Sequence, residues 1–164
     1  MRLVGKVILN TRPRDPFAGT DKLSNLLQSE GAKIVASPAI ELRSTQIDAD
    51  SLEKIRNLDK KGWLVFVSQS GVQFFQMILA EQSISLEQLE VKMAAIGPAT
   101  KGALEKIGCK VDLVPEQFNS RDLANRLVEI AEGDLFLIRA SRGNRELVEI
   151  LNANGKDCVE FVAY

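Results

Sequence analysis

Histidine is absent from all 164 residues. No imidazole is on hand to act as a base near neutral pH, to serve a serine or cysteine nucleophile, or to ligate zinc. Any catalysis has to come from carboxylates, hydroxyls, cations, backbone dipoles and the single tyrosine, Tyr164. Charge of one sign is also lacking. With 21 basic and 22 acidic side chains the formal net charge is −1, so no global field collects nucleic acid or an anionic membrane, and neither is expected as a partner. The two cysteines, Cys109 and Cys158, lie far apart in no metal or redox spacing, and buried free thiols in a reducing, cytoplasmic compartment are expected. No apolar run reaches the roughly 18 residues needed to span a bilayer, and Met1 to Asn10 lacks a signal-peptide core. Gly97 is not followed by the glycine spacing of a dinucleotide fingerprint or by GK[ST], so NAD and ATP sites are not expected. Ser68 and Ser70 lie in no nucleophile elbow, which argues against a hydrolase. Asp48 and Asp50 read as helix caps rather than metal ligands, and no metal site is expected.

What is present is organised around Ala94 to Leu123, which reads as one β-α-β unit. Met93 to Ile96 is a short apolar run, Pro98 sits where a first helical turn tolerates a missing N–H, and Gly108 suits a left-handed cap. Val111 to Val114 is expected to be the next strand, parallel to the first, and Ser120 to cap the following helix. Further strands are expected at Trp63–Val67, Leu135–Ile138 and Cys158–Val162, with helices after Ser68-Gln69-Ser70-Gly71 and around Leu147 to Leu151. Five strands starting near 63, 92, 111, 134 and 158 with intervening helices imply an α/β fold, a doubly wound parallel five-stranded sheet of flavodoxin-like type.

The N-terminal stretch is left over. A strand at Lys6–Leu9, a proline-rich polar loop from Asn10 to Pro16, a helix opened by Thr20 or Asp21 and ended by Gly31, and a strand at Lys33–Ala36 make a β-α-β start that cannot close a core alone. Residues 1–37 are therefore read as an incomplete domain, 38–47 as an extended linker, 48–162 as a complete domain, and 163–164 as the start of a return connector. Unpaired strand edges on the incomplete part predict self-association.

In parallel sheets of this kind ligands gather at the carboxyl ends of the strands. Here those ends carry Thr11-Arg12, Ser68-Gln69-Ser70, Gly97-Pro98-Ala99-Thr100 and Arg139 to Arg145. All are polar and helix-initiating, and exposed N–H groups there favour carboxylate or phosphate, with arginines able to add bidentate contacts. An anionic small molecule is the expected guest.

These pieces together resemble the uroporphyrinogen-III synthase family: Thr11-Arg12-Pro13; Phe66-Val67-Ser68 with Gly71-Val72; Ile96-Gly97 with Thr100; Val114-Pro115 with Ser120 and Leu123; Arg139 with Gly143 and Arg145; and Val162-Ala163-Tyr164. The resemblance covers essentially the whole chain. It implies two α/β domains joined by a two-stranded connector, one inserted into the other, with family members continuing beyond the point where this sequence stops. It implies cyclisation of the linear tetrapyrrole hydroxymethylbilane to uroporphyrinogen III, with inversion of the last ring, loss of water and no metal or organic cofactor. By the same resemblance Tyr164 assists departure of the hydroxyl, Thr100 and Ser68 line the cleft, backbone N–H groups near Gly97, Ala99 and Ser70 hold carboxylates, and Arg12 and Arg139 support. The alternative is a non-catalytic flavodoxin-like anion-binding or interaction domain derived from the family.

Overall fold

The computed structural model describes residues 1–14, 17 and 21–164. Thr20, and Asp15 and Pro16 of the polar loop, lie outside the described residues. Contacts divide the chain into two compact units, Met1–Arg43 and Ser44–Tyr164.

In the first unit, strand β1 (Val7–Asn10), helix α1 (Lys22–Ser29) and strand β2 (Lys33–Ala36) form a β-α-β arrangement with β1 and β2 parallel, Val7 opposite Lys33 and Asn10 opposite Ala36. Asp21 opens α1: its carboxylate accepts from the Leu23 N–H at 3.1 Å and from the Ser24 hydroxyl at 2.8 Å. The Ser24 hydrogen bond in particular holds the Asp21 carboxyl below the usual carboxylate range. Ile8 and Ile34 are half-buried, while Val7, Leu9 and Val35 are exposed.

The second unit contains α2 (Ala49–Arg56), β3 (Trp63–Phe66), α3 (Gln69–Glu81), a short 3-10 turn at Leu86–Gln88, β4 (Lys92–Ala95), α4 (Pro98–Lys106), α5 (Ser120–Ile130), β5 (Leu135–Arg139), α6 (Glu146–Ala153) and β6 (Cys158–Val162). The strands are parallel and lie in the order β4-β3-β5-β6. The register places Phe66 beside both Ala95 and Ile138, and Arg139 beside Val162.

The sheet has four strands rather than the expected five. Val111–Val114 contributes a single parallel bridge, Leu113 to Ala94. Asp112 is the reason. Its carboxylate takes the Met93 N–H at 3.0 Å, an amide a continuing ladder would use, and Pro115 soon follows with no N–H to give. The order also departs from the flavodoxin-like expectation. Counting the Leu113 bridge, the strands of this unit run third-second-first-fourth-fifth, the other common doubly wound order. In this order the topological switch point falls between β3 and β5.

Alternate residues of the sheet pack on opposite faces, as strand geometry requires. Trp63, Val65, Leu135 and Leu137 share one cluster with Leu123 and Leu127 of α5 and Leu147, Val148 and Leu151 of α6. On the other face Phe75 of α3 meets Phe66 and Phe161 edge-on at centroid distances of 5.8 and 5.3 Å. β5 is buried along Leu135–Ile138 and flanked on both sides, which is why it reads as continuously apolar.

Helix starts are set by side-chain oxygens. Asp48 caps α2 through the Ser51 N–H at 2.8 Å, and Ser68 caps α3 through the Gly71 N–H at 2.9 Å. The cap of α5 is Asn119, not Ser120, which is the first helical residue; Asn119 Oδ1 accepts from the Asp122 N–H at 2.8 Å. Gly31 and Gly108 follow their helices with φ of +95° and +81°, the left-handed conformation that glycine adopts without steric cost.

Both cysteines are unpaired. Burial, aided by the Glu87 carboxylate, pushes the Cys109 thiol up to about 11, and burial with Glu160 pushes Cys158 up to about 12. Only the thiolate reacts with alkylating reagents. At pH 8 iodoacetamide is therefore expected to leave both thiols of the folded chain untouched while guanidinium-unfolded chain takes an adduct at each, read by intact mass; adducts on folded chain would refute the burial. The same shifts carry a sign for stability. Their contribution is fully present below about pH 8.5, the unfolded thiol value, and is lost as pH rises toward 11 and 12.

Candidate active site

Because every strand of the second unit runs the same way, its carboxyl ends share one edge. Along that edge the order is the loop after Leu113, then Gly97 after β4, Ser68 after β3, Ala140 after β5, and Ala163-Tyr164 after β6. Ser68 leaves β3 in extended conformation, φ −162° and ψ 155°, and its hydroxyl turns into the helix to cap α3.

The side chain at the other end of this edge reaches back to it. Tyr164 Oη lies 2.9 Å from Ser68 Oγ, in a hydrogen bond in which either hydroxyl can donate. Ser68 Oγ already accepts from the Gly71 N–H, so its own proton is available to Tyr164. The Tyr164 ring stacks on Phe74 of α3 with centroids 5.1 Å apart and planes 14° from parallel. Its backbone is fixed as well. The Ser141 N–H donates to Tyr164 O at 2.7 Å, and the Ala163 N–H to Arg139 O at 2.9 Å. On the far side Thr45 donates its N–H to Ala163 O at 3.1 Å and its hydroxyl to Val162 O. A tyrosine expected only as a site residue is thus held by ring, hydroxyl and main chain at the switch point, where doubly wound sheets bind ligands.

Arg139 leaves β5 beside this pair but faces inward. With side-chain exposure of 16%, its Nε pairs with Glu160 Oε2, whose own side chain is 20% exposed, and its Nη1 donates to Ala140 O at 2.8 Å. Arg145 donates to the second Glu160 oxygen at 3.0 Å. Arg139 therefore holds the loop that carries Ser141, and through it Tyr164.

At the end of β4, Gly97 caps α4 with no side-chain hydrogen bond and Pro98 follows at the first helical position. The N–H groups of Ala99 and Thr100 are consequently uncapped by any side chain, and the helix start presents positive potential. Thr100 is 4% exposed, the one polar side chain among the described residues that counts as buried. Gln69 is exposed and Ser70 half-buried in the first turn of α3. Ser68, Gln69, Ser70, Gly97, Ala99, Thr100, Arg139 and Tyr164 thus share the carboxyl edge of the second unit. Thr11 and Arg12 belong to the first unit, at the carboxyl end of β1, where the Arg12 N–H donates to Asn10 Oδ1 at 3.1 Å and its side chain lies 3.7 Å from Asp21.

Two contributors escape sequence reasoning. Phe74 sits beside Phe75 in a largely apolar helix, and nothing in the pattern marks which ring serves Tyr164. Glu160 is a charge in the middle of a strand, a pattern that ordinarily reads as an outward-facing position.

Residues 21–164 match the family described as uroporphyrinogen-III synthase HemD. The chain belongs to the uroporphyrinogen-III synthase family. It is 31% identical over 155 residues to a porphyrin biosynthesis protein HemD of Ruminiclostridium josui, covering 93% of this chain and 30% of that one. It is 28% identical over 146 residues to a putative uroporphyrinogen-III synthase of Methanocaldococcus jannaschii, covering 88% and 56%. Among solved structures, uroporphyrinogen III synthase from the extremely thermophilic bacterium Thermus thermophilus superposes with a TM-score of 0.56 at 15% identity over 97% of this chain and 61% of that one, a likeness of fold. This family member thus spans less than two thirds of the length of these relatives. Among its described residues no helix is long and apolar enough to cross a membrane.

Proposed function

We propose that this chain acts in the cyclisation of hydroxymethylbilane to uroporphyrinogen III, with inversion of the last pyrrole ring and loss of water, as a lyase of tetrapyrrole biosynthesis. The observation that carries this reading is the Tyr164–Ser68 hydroxyl pair, 2.9 Å apart at the switch point of a sheet from this family. Family membership does not favour the alternative of a non-catalytic binding module.

The chemistry suits the residues. Electron release from a pyrrole nitrogen of the substrate weakens the bond from its terminal carbon to the hydroxyl. Tyr164 Oη supplies the proton with which that hydroxyl leaves as water, and the Ser68 proton stabilises the tyrosine oxygen as charge develops on it. The terminal carbon freed in this way bonds to the already substituted α-carbon of the last ring. The bond from that α-carbon to its bridge carbon breaks and re-forms at the ring's free α-carbon, which inverts the ring, and the proton then lost from that carbon restores Tyr164. Net, one water is lost and nothing is oxidised. The protein's larger task is to fold a flexible chain of four rings so that its ends meet, a matter of orientation. Acetate and propionate groups of the substrate fit the uncapped N–H groups of Ala99 and Thr100, on the edge that also carries Ser70.

We also read residues 1–37 as the opening of a host domain and 48–162 as an insert, with 38–47 and 163–164 running side by side as the connector. The Thr45 hydrogen bonds to Val162 and Ala163 favour this reading. The compartment we infer is the cytoplasm, where the two unpaired thiols stay reduced.

The test is an assay that generates hydroxymethylbilane in place and separates the type III porphyrin from the spontaneously formed type I. Excess type III is the expected result; type I alone would overturn the reading. Within it, Tyr164→Phe is expected to lower kcat by about 100-fold, the scale of one general acid, with KM nearly unchanged, because the ring keeps its stack on Phe74. An unchanged kcat would remove the hydroxyl from the mechanism.

A further inference from the structure

The tryptophan and phenylalanine side chains of the second unit are hidden with one exception. Trp63, Phe66, Phe74, Phe75, Phe136 and Phe161 are at most 5% exposed, whereas Phe118 is 61% exposed. It stands on the functional edge, in the loop between the Leu113 bridge and α5. That loop is pinned: the Gln117 N–H donates to Asp122 Oδ2 at 2.9 Å, the Asn119 N–H to Gln117 O at 2.7 Å, and Asn119 caps α5. Phe118 is therefore set by backbone bonds on both sides, not left at a loose tip.

Its seat is specific. A Cβ added to Gly97 would come within 3.2 Å of Phe118 Cβ and 3.4 Å of its Cγ, tighter than ordinary contact. The glycine after β4 thus lets the base of the phenylalanine lie against the main chain while its ring remains open to solvent. β4 is the immediate neighbour of β3, and the Ile96 N–H donates to Phe66 O at 2.9 Å, so Gly97, the seat of Phe118, follows the strand next to the one that leads into Ser68.

We infer that Phe118 is a substrate-positioning residue, a platform on which one pyrrole ring of the linear tetrapyrrole stacks while its carboxylates meet the start of α4. The inference rests on the function proposed above. A pyrrole ring is flat and electron-rich, and aromatic pairs of this kind favour offset stacking. Stacking one ring fixes the orientation of a substrate otherwise free to turn about the single bonds between its rings, while Tyr164 acts elsewhere along the same edge.

The experiment compares the unaltered chain with Phe118→Ala, Phe118→Leu and Phe118→Tyr. The dissociation constant for uroporphyrinogen III is measured anaerobically by calorimetry, and KM and kcat with hydroxymethylbilane generated in place; melting curves check the fold. The expected result is a roughly tenfold weaker dissociation constant and higher KM for both Ala and Leu, within the range of one lost stacking partner, with kcat nearly constant and Tyr within about twofold of the original. Native KM and affinity in Phe118→Ala would overturn the inference while type III production by the unaltered chain leaves the functional reading standing. Full recovery by Leu, which keeps the apolar contact with Gly97 but has no π-face, would also overturn it. An unaltered chain that neither binds nor turns over would defeat the functional reading, and the platform with it.

Discussion

Replacing Glu160 with alanine is expected to destabilise the second unit by about 3 kcal/mol, the cost of stranding a largely buried charge. Arg139 and Glu160 are 16% and 20% exposed, so most of the hydration of both ions has been given up for each other. Without the carboxylate the guanidinium keeps only its carbonyl partners at Ala140 and Ser141, and Arg145 loses its partner too. Trp63, the single tryptophan, is 2% exposed inside this unit and reports its unfolding by fluorescence in urea. Removing both charges together, as Arg139→Met with Glu160→Leu, is expected to recover most of the loss, because the penalty comes from the unpaired ion rather than from the absence of a bridge. A single-variant loss below about 1 kcal/mol, the scale of an exposed pair, would show that water still reaches the site. The consequence for Tyr164 is indirect: Arg139 steadies the Ala140–Ser141 loop, and the Ser141 N–H holds the tyrosine main chain.

Phe75→Ala is the second large effect, expected at about 3–5 kcal/mol. Phe75 is fully buried and touches Phe66 of β3 and Phe161 of β6 edge-on, so one side chain ties α3 to the centre and the edge of the sheet. Truncation removes apolar burial and two aromatic contacts, and leaves a cavity between rigid strands that cannot close around it. Phe75→Leu should lose far less, because it retains most of the volume. If alanine costs less than about 2 kcal/mol, below the usual range for such a truncation, the helix has collapsed onto the sheet and α3 is less firmly fixed than its contacts imply.

Much of this architecture was legible from local chemistry. Apolar runs at Trp63–Phe66 and Leu135–Ile138 marked the interior strands because both faces of each are covered. Asp48 and Ser68 announced their helices because a short side chain with an oxygen is what the first turn requires. The strand foreseen at Val111–Val114 failed on one residue: hydropathy does not record that the Asp112 side chain competes with backbone for the Met93 amide. The strand order was beyond reach because the right-handed crossover rule fixes the hand of each connection and not which neighbour a strand chooses. For the site, resemblance pointed to Ser68 and Tyr164 separately, but no periodicity links them. The roles of Phe74 and Glu160 depend on which elements meet, which only the packed sheet decides.

The Ser68–Tyr164 bond joins positions 96 apart in the chain. Closing so long a segment carries a large entropy loss, and such contacts form after the local ones that precede them. The pair exists only once β6 has taken its place beside β5, with the ring of Tyr164 on Phe74. Assembly of this hydroxyl pair thus coincides with completion of the second unit, and a partly folded second unit, however helical, lacks the paired geometry.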